Sequence, residues 1–300
     1  QYGAPPGQAP PGQYGAPPGQ APMATSGGGK YTSMVASRLQ RTVQANNLAG
    51  FYPPQKLDAV IQRVSQVDFD GLTQRWHLGN VELALDLASL ALYDIVLLCD
   101  DSGSMQQDDR IEDLTLIVSK ISEVATLFDD DGIMVRFLNS NKEGNGIRTE
   151  PETKALLGGI PYSGTTPIGP MLQNRVLNTM VYSQPQLAKP VAVYVITDGE
   201  PDNRDEVIQT LRQCKDRMSR TAFGAKAVGF QFAQVGNDKG AMRFLESLDN
   251  DPLVGDVVDV TSHFEAEQVQ CQAKGINLTP HLWLLKMLLG GVDPSYDEQD

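Results

Sequence analysis

The sequence predicts an α/β fold in which a doubly wound, mostly parallel sheet is flanked by helices. After Tyr93, short apolar runs typical of buried strands alternate with longer stretches of helical spacing, as in parallel sheets. Two of these runs, ending at Cys99 and Thr197, are followed at once by acidic and hydroxyl residues. Because such sheets bind ligands at the carboxyl ends of their strands, this arrangement also indicates where function lies.

Residues 1–30 are predicted to be a disordered Pro/Gly/Gln-rich tail. They contain QYGAPPGQAPPG followed by QYGAPPGQAP, a tandem repeat in which tyrosine is the only aromatic residue. A segment of this composition buries too little apolar surface to offset the loss of chain entropy on folding. We interpret it as a solvated linker, with a self-associating or polyproline II segment as the alternative.

Residues 31–92 are predicted to form a helical lead-in segment. Apolar residues recur at helical spacing from Met34 to Leu90, and Tyr52-Pro53-Pro54 and Asp68-Phe69-Asp70-Gly71 interrupt them as turns. The pattern predicts three or four short helices. Trp76 is predicted to lie in the core, since a tryptophan among amphipathic helices is usually buried.

Residues 93–265 are predicted to form the α/β domain. The predicted strands are 94–99, 133–139, 146–150, 191–197, 225–235 and 257–260, and the second and third make a hairpin across 141–145. The predicted helices are 111–127, 167–182, 204–218 and 238–247. Residues 266–300 are expected to add a helix at 281–289 and an acidic tail. The lead-in segment and the last helix each have an apolar stripe and should pack on the α/β domain.

Composition excludes several classes of function. The formal net charge of −13 disfavours DNA and RNA as partners, because nucleic-acid binders carry a basic face. No run of about 18 apolar residues is present, so no transmembrane segment is expected. The odd, widely spaced trio Cys99, Cys214 and Cys271 indicates a reducing, cytoplasmic compartment and no structural zinc site.

Oxygen-bearing side chains are predicted to meet at one edge of the sheet. Asp100, Ser102 and Ser104 alternate along the loop after the first strand, and Asp198 follows the central strand. The segment Ser163-Gly164-Thr165-Thr166-Pro167 lies between them and offers a further hydroxyl. Carboxylate and hydroxyl oxygens are the ligands of hard divalent cations, so the pattern predicts a metal site.

In this order, the segments DDSGSM, GTTPIG and ITDGEPD resemble the metal-ion-dependent adhesion site of von Willebrand factor A domains. The resemblance covers about residues 93–265. It implies that the serines bind the metal directly, that the carboxylates act directly or through water, and that Thr166 contributes rather than Thr165. The implied ligands are Asp100, Ser102, Ser104, Thr166 and Asp198. Two carboxylates with three hydroxyls fit octahedral Mg²⁺ or Mn²⁺ better than a calcium cage.

A less specific resemblance extends beyond these motifs. The lead-in sequences NNLAGFYPPQ and LALDLASLALYD, with the final HLWLLKMLLG, are similar to a group of intracellular fungal proteins that carry an A domain. This resemblance implies no biochemical activity.

The implied function is metal-dependent binding of a protein partner that presents Asp or Glu to an open metal position. The first alternative is a structural subunit whose metal only stabilises the fold. An enzyme is not expected. A haloacid-dehalogenase-type phosphatase needs a second Asp where Ser102 stands, and a receiver domain fits a chain of about half this length. Serine hydrolysis is not indicated either, because the sequence has no G-x-S-x-G elbow. At a charge of −13 the protein repels an acidic partner at a distance, so affinity is expected to stay flat or improve as salt rises.

Overall fold

One twisted sheet lies at the centre of the computed structural model, which describes residues 29–128, 131–293 and 296. Within these residues its strands are β1 (Asp94–Cys99), β2 (Ile133–Phe137), β3 (Gly144–Ile147), β4 (Val191–Thr197), β5 (Val228–Gln234) and β6 (Val258–Thr261). The strand order is β3-β2-β1-β4-β5-β6, and only β3 is antiparallel to its neighbour. The predicted doubly wound, mostly parallel sheet is confirmed.

Helices cover both faces of this sheet. They are α1 (Thr32–Ala45), α2 (Pro54–Val64), α3 (Phe69–Arg75), α4 (Val81–Asp86), α5 (Arg110–Phe128), α6 (Glu150–Leu157), α7 (Ile168–Met171), α8 (Arg204–Met218), α9 (Lys239–Asp249), α10 (Phe264–Ala273) and α11 (Pro280–Gly290). Because both faces are covered, the central strands β1 and β4 consist almost wholly of buried apolar residues.

The lead-in helices and α11 pack against the sheet and its helices in one continuous hydrophobic core. Trp76 is fully buried, as its position among amphipathic helices predicts. Helix α11 lies against β5 and β6. The Tyr194 hydroxyl on β4 donates a 2.6 Å hydrogen bond to the Leu288 carbonyl, and the Trp283 indole donates one of 2.9 Å to Ser262.

The predicted hairpin of β2 and β3 is present, but its second strand was predicted to begin and end too late. Strand β3 begins at Gly144 rather than Gly146 and ends at Ile147, and Glu150 starts helix α6 instead of ending a strand. Thr149 and Glu152 form a reciprocal capping box, in which the Thr149 hydroxyl accepts the Glu152 N–H and the Glu152 carboxylate accepts the Thr149 N–H. Helix α6 was therefore missed, although the Thr-x-x-Glu spacing is its signal.

Other elements also differ from the sequence prediction. Pro167 is the residue before helix α7 rather than its first residue, and from Leu172 to Val181 the backbone continues as a π-helix. Strand β5 starts at Val228, after a 3₁₀ turn. Helix α10 was not predicted, and its buried residue is the polar Glu267.

Some predictions fall outside the described residues, namely the disordered tail over residues 1–28 and the acidic tail at 297–300. Within the described part of the chain, no helix is both long and apolar enough to cross a bilayer.

The edge strands β3 and β6 each have four residues, and a register irregularity lies between Ile133 and Val135 on the strand next to β3.

Candidate metal centre

The acidic loops that follow β1 and β4 lie side by side, because these two strands are neighbours in the sheet. Cys99 at the end of β1 pairs with Ile196 on β4, and the Asp100 N–H donates a 2.8 Å hydrogen bond to the Ile196 carbonyl. The chain passes from β1 to β2 on one side and reaches β4 on the other, so the strand order reverses here. Sheets of this kind bind ligands at such a switch point.

Asp100 is fully buried and firmly held by its neighbours. One carboxylate oxygen accepts the Ser102 N–H at 2.8 Å, and the other accepts the Thr197 hydroxyl at 2.7 Å. Burial raises the pKa of Asp100 to about 6, and the nearby charge of Asp198 acts in the same direction. The next residue, Asp101, faces away and binds the backbone N–H groups of Asn139 and Ser140 at 2.7 Å each.

Three of the predicted ligands form a chain of closely spaced oxygens. The Ser102 and Ser104 hydroxyl oxygens are 3.0 Å apart, and the Ser104 hydroxyl lies 3.1 Å from Asp198 Oδ1. In an octahedral Mg²⁺ site with metal–oxygen distances of about 2.1 Å, adjacent ligand oxygens are separated by about 3.0 Å. The spacing of these oxygens therefore fits the geometry of a small divalent cation.

Thr166 joins Ser104 and Asp198 in lining an open cleft above the sheet. Its loop is fixed by Asp202, whose carboxylate accepts the Thr166 N–H at 3.0 Å and the Thr165 hydroxyl at 2.5 Å. The Thr165 hydroxyl is thus engaged with Asp202, while Thr166 faces the cleft. Gly164 has a φ of 103°, and its carbonyl accepts the Gly103 N–H at 3.2 Å, which ties the two ligand loops together.

Within the described residues, no group of three or more His, Cys, Asp and Glu side chains is arranged to hold a metal ion. The candidate centre is of a different composition, because two carboxylates are combined with three hydroxyls. The donor set therefore suits a hard cation that accepts neutral oxygen ligands, such as Mg²⁺ or Mn²⁺.

Arg110 is a member of this site that the sequence prediction missed. Its guanidinium forms a close ion pair with Asp198 Oδ2 and donates to the Ser104 carbonyl at 3.3 Å. Only 8% of Arg110 and none of Asp198 is exposed, so the pair is buried. The guanidinium leaves Oδ1 of Asp198 facing Ser104. A lone cation among Asp108, Asp109, Glu112 and Asp113 is the sequence signal that could have drawn attention to it.

We expect Arg110→Gln to destabilise the metal-free protein by about 3 kcal/mol, because Asp198 would remain buried without its counter-charge. Mg²⁺ should restore part of this loss, so the variant should gain more thermal stability from the metal than the native chain does. Thermal unfolding with and without Mg²⁺ measures both effects.

The matched control is Arg204→Gln, which breaks the half-exposed ion pair with Glu200 beside the same cleft. Its cost should stay below about 1 kcal/mol, with no added response to Mg²⁺. Equal losses in both variants would show that the Arg110–Asp198 pair has no special role.

The fold and the loop geometry define a von Willebrand factor A-type domain. A family model described as "vWA found in TerF C terminus" (vWA-TerF-like) matches residues 92–278. The chain therefore belongs to the vWA-TerF-like family. None of the curated proteins matches it.

Several solved structures are similar to the chain. They include proximal thread matrix protein 1 from the mussel byssus, with a TM-score of 0.41 and 17% identity over 68% of this chain and 48% of that one. The pilus adhesin SpaC from Lactobacillus rhamnosus GG has a TM-score of 0.42 and 13% identity, over 65% of this chain and 30% of that one. The manganese-loaded TRAP protein of Plasmodium vivax has a TM-score of 0.41 and 14% identity, over 64% and 74%. The chain spans less than half the length of the mussel and Lactobacillus proteins.

Proposed function

We propose that this A-type domain is a metal-ion-dependent protein interaction module. A Mg²⁺ or Mn²⁺ ion would be held by the five side chains predicted from the sequence: Asp100, Ser102, Ser104, Thr166 and Asp198. The observation that carries the proposal is the chain of oxygens from Ser102 through Ser104 to Asp198, with spacings of 3.0 and 3.1 Å. Bound there, the cation would supply a positive charge with an open position for an anionic oxygen.

The residues around the ion would have separate tasks. The two serine hydroxyls and Thr166 offer neutral oxygens, which leave the cation electron-poor, and Asp100 and Asp198 balance its charge from the sheet edge. The hydrogen bonds from Ser102 and Thr197 fix the Asp100 carboxylate before any ligand arrives. The cleft would leave the ion accessible to solvent, where an Asp or Glu side chain of a partner protein would reach it.

We propose binding rather than catalysis as the role of this site. The residue two positions after Asp100 is Ser102, where a haloacid-dehalogenase-type phosphatase needs a second Asp, and its hydroxyl contacts that of Ser104. We also propose a cytoplasmic location, because Cys99, Cys214 and Cys271 are free thiols in the structure.

Partner capture should depend on the metal. With the protein as bait in Mg²⁺, a specific partner should be retained, and EDTA or Asp198→Ala should lower its recovery at least about 10-fold, since the ion contributes the central contact. Quantitative mass spectrometry of the eluates measures this. Replacing the partner's critical Asp or Glu by Asn or Gln should have a similar effect, because an amide oxygen is a poorer ligand for the cation.

Asp216→Asn is the matched control, since it removes an exposed carboxylate far along helix α8. It should leave capture unchanged. The alternative function, a metal that only stabilises the fold, predicts the opposite pattern: EDTA would lower the melting temperature and leave capture intact. That outcome would exclude the docking role.

A further inference from the structure

The cleft beside the candidate metal centre has a basic wall. Lys239 and Arg243 are one turn apart on helix α9, both are exposed, and both line the cleft together with Ser104, Thr166 and Asp198. Neither cation forms an ion pair with any residue that the structure describes. The lining of the cleft also includes the carboxylates of Asp198, Glu200 and Asp238.

The acidic residues of the same cleft are already engaged. Asp198 pairs with Arg110, and Glu200 lies 2.8 Å from the Arg204 guanidinium. Asp238 caps helix α9 by accepting the Ala241 N–H at 2.7 Å. Asp238 keeps its negative charge, so the two unpaired cations on α9 outnumber the one carboxylate of the cleft that has no basic partner.

We propose that Lys239 and Arg243 bind a second acidic side chain of the same partner whose first acidic side chain meets the metal. This inference rests on the proposed function, which supplies the first contact. The cleft has a volume of about 620 Å³, which is enough for a short peptide segment with two carboxylates. The partner is thus an acidic peptide with paired Asp or Glu residues rather than one with a single carboxylate.

Local charge changes the expected response to salt. The net charge of −13 alone predicts that affinity stays flat or rises with salt. Charges beyond about 8–10 Å are screened at physiological ionic strength, so the two cations in the cleft outweigh the distant acidic surface. Affinity for a peptide with two acidic residues should therefore fall as salt rises, in contrast to the effect expected from the net charge alone.

The test uses synthetic peptides of the form Gly-Asp-(Gly)n-Asp-Gly, with zero to four central glycines, and matched peptides in which the second Asp is Asn. Binding to the full chain is measured by NMR titration in Mg²⁺ and in EDTA. For the best spacing, the second Asp should improve affinity about 10-fold, as expected for two partly exposed ion pairs. Lys239→Ala/Arg243→Ala should abolish this gain and its salt dependence, and leave the binding of Mg²⁺ and of the single-Asp peptides unchanged.

Arg212→Ala/Arg220→Ala is the matched control, because it removes the same charge from exposed positions outside the cleft. It should keep the 10-fold gain. If single-Asp peptides bind in Mg²⁺ but the second Asp adds nothing, or the gain survives in Lys239→Ala/Arg243→Ala, the second subsite is refuted and the metal-dependent function stands. If neither peptide class distinguishes Mg²⁺ from EDTA, the proposed function fails as well.

Discussion

Replacing Ser102 and Ser104 together by alanine should abolish binding of Mg²⁺ and Mn²⁺ while the fold stays intact. Both hydroxyls are proposed direct ligands, and they contribute two of the three neutral oxygens of the site. Loss of residues that only orient a ligand costs about 10–100-fold in metal affinity, so loss of two direct ligands should cost more than about 100-fold.

Isothermal calorimetry with Mg²⁺ and electron paramagnetic resonance with Mn²⁺ measure this loss. The side-chain hydrogen bonds of Ser102 and Ser104 join them to each other, to Asp100 and to Asp198, all within the proposed ligand set, so circular dichroism should show an unchanged fold. The matched control is Ser163→Ala/Ser183→Ala, which removes two exposed hydroxyls outside the ligand set and should bind as the native chain does. Unchanged affinity in Ser102→Ala/Ser104→Ala would exclude the assignment of the metal site.

Removing helix α11 should prevent the domain from folding. This helix buries six large side chains, those of Trp283, Leu284, Leu285, Met287, Leu288 and Leu289. Burial of each contributes about 1.5 kcal/mol or more, so the total loss of about 9 kcal/mol is comparable with the whole net stability of a typical domain, about 5–15 kcal/mol. Removal of the helix also exposes to solvent the face of β5 and β6 on which it packs.

A chain that ends before Pro280 should accordingly be poorly soluble, bind a hydrophobic dye such as ANS, and lack a cooperative thermal transition. The shorter segment 93–265, which also lacks the lead-in helices, should behave worse. Deleting residues 1–28 provides the control, since their composition predicts no share in the core. A stable, soluble segment 93–265 would show that the flanking helices are dispensable.

The parts of the fold that could be predicted from the sequence are those in which burial requires apolar residues. Strands β1 and β4 could be predicted because both of their faces are covered, which requires near-continuous apolar runs. The oxygen ligands could be located for a related reason, since Asp100 and Asp198 directly follow those two strands. The burial of Trp76 could also be predicted, because this residue lies among apolar residues at helical spacing.

The remaining features depend on contacts that no local pattern records. Arg110 meets Asp198 across 88 positions of the chain, so its role becomes visible only when α5 is placed against β4. Likewise, the significance of Lys239 and Arg243 depends on which neighbouring acids are already paired. The π-helix from Leu172 to Val181 contains neither proline nor glycine, so no residue within it marks the departure from an α-helix.

The two short edges of the sheet affect how the protein behaves at high concentration. A long, flat edge strand offers unpaired N–H and C=O groups to a second molecule and thereby starts cross-β assembly. Here β3 and β6 have only four residues each, β3 contains Gly144 and Gly146, and the neighbouring strand is irregular between Ile133 and Val135. We therefore expect strand addition at either edge to be unfavourable, and the folded chain to resist amyloid-like aggregation at high concentration.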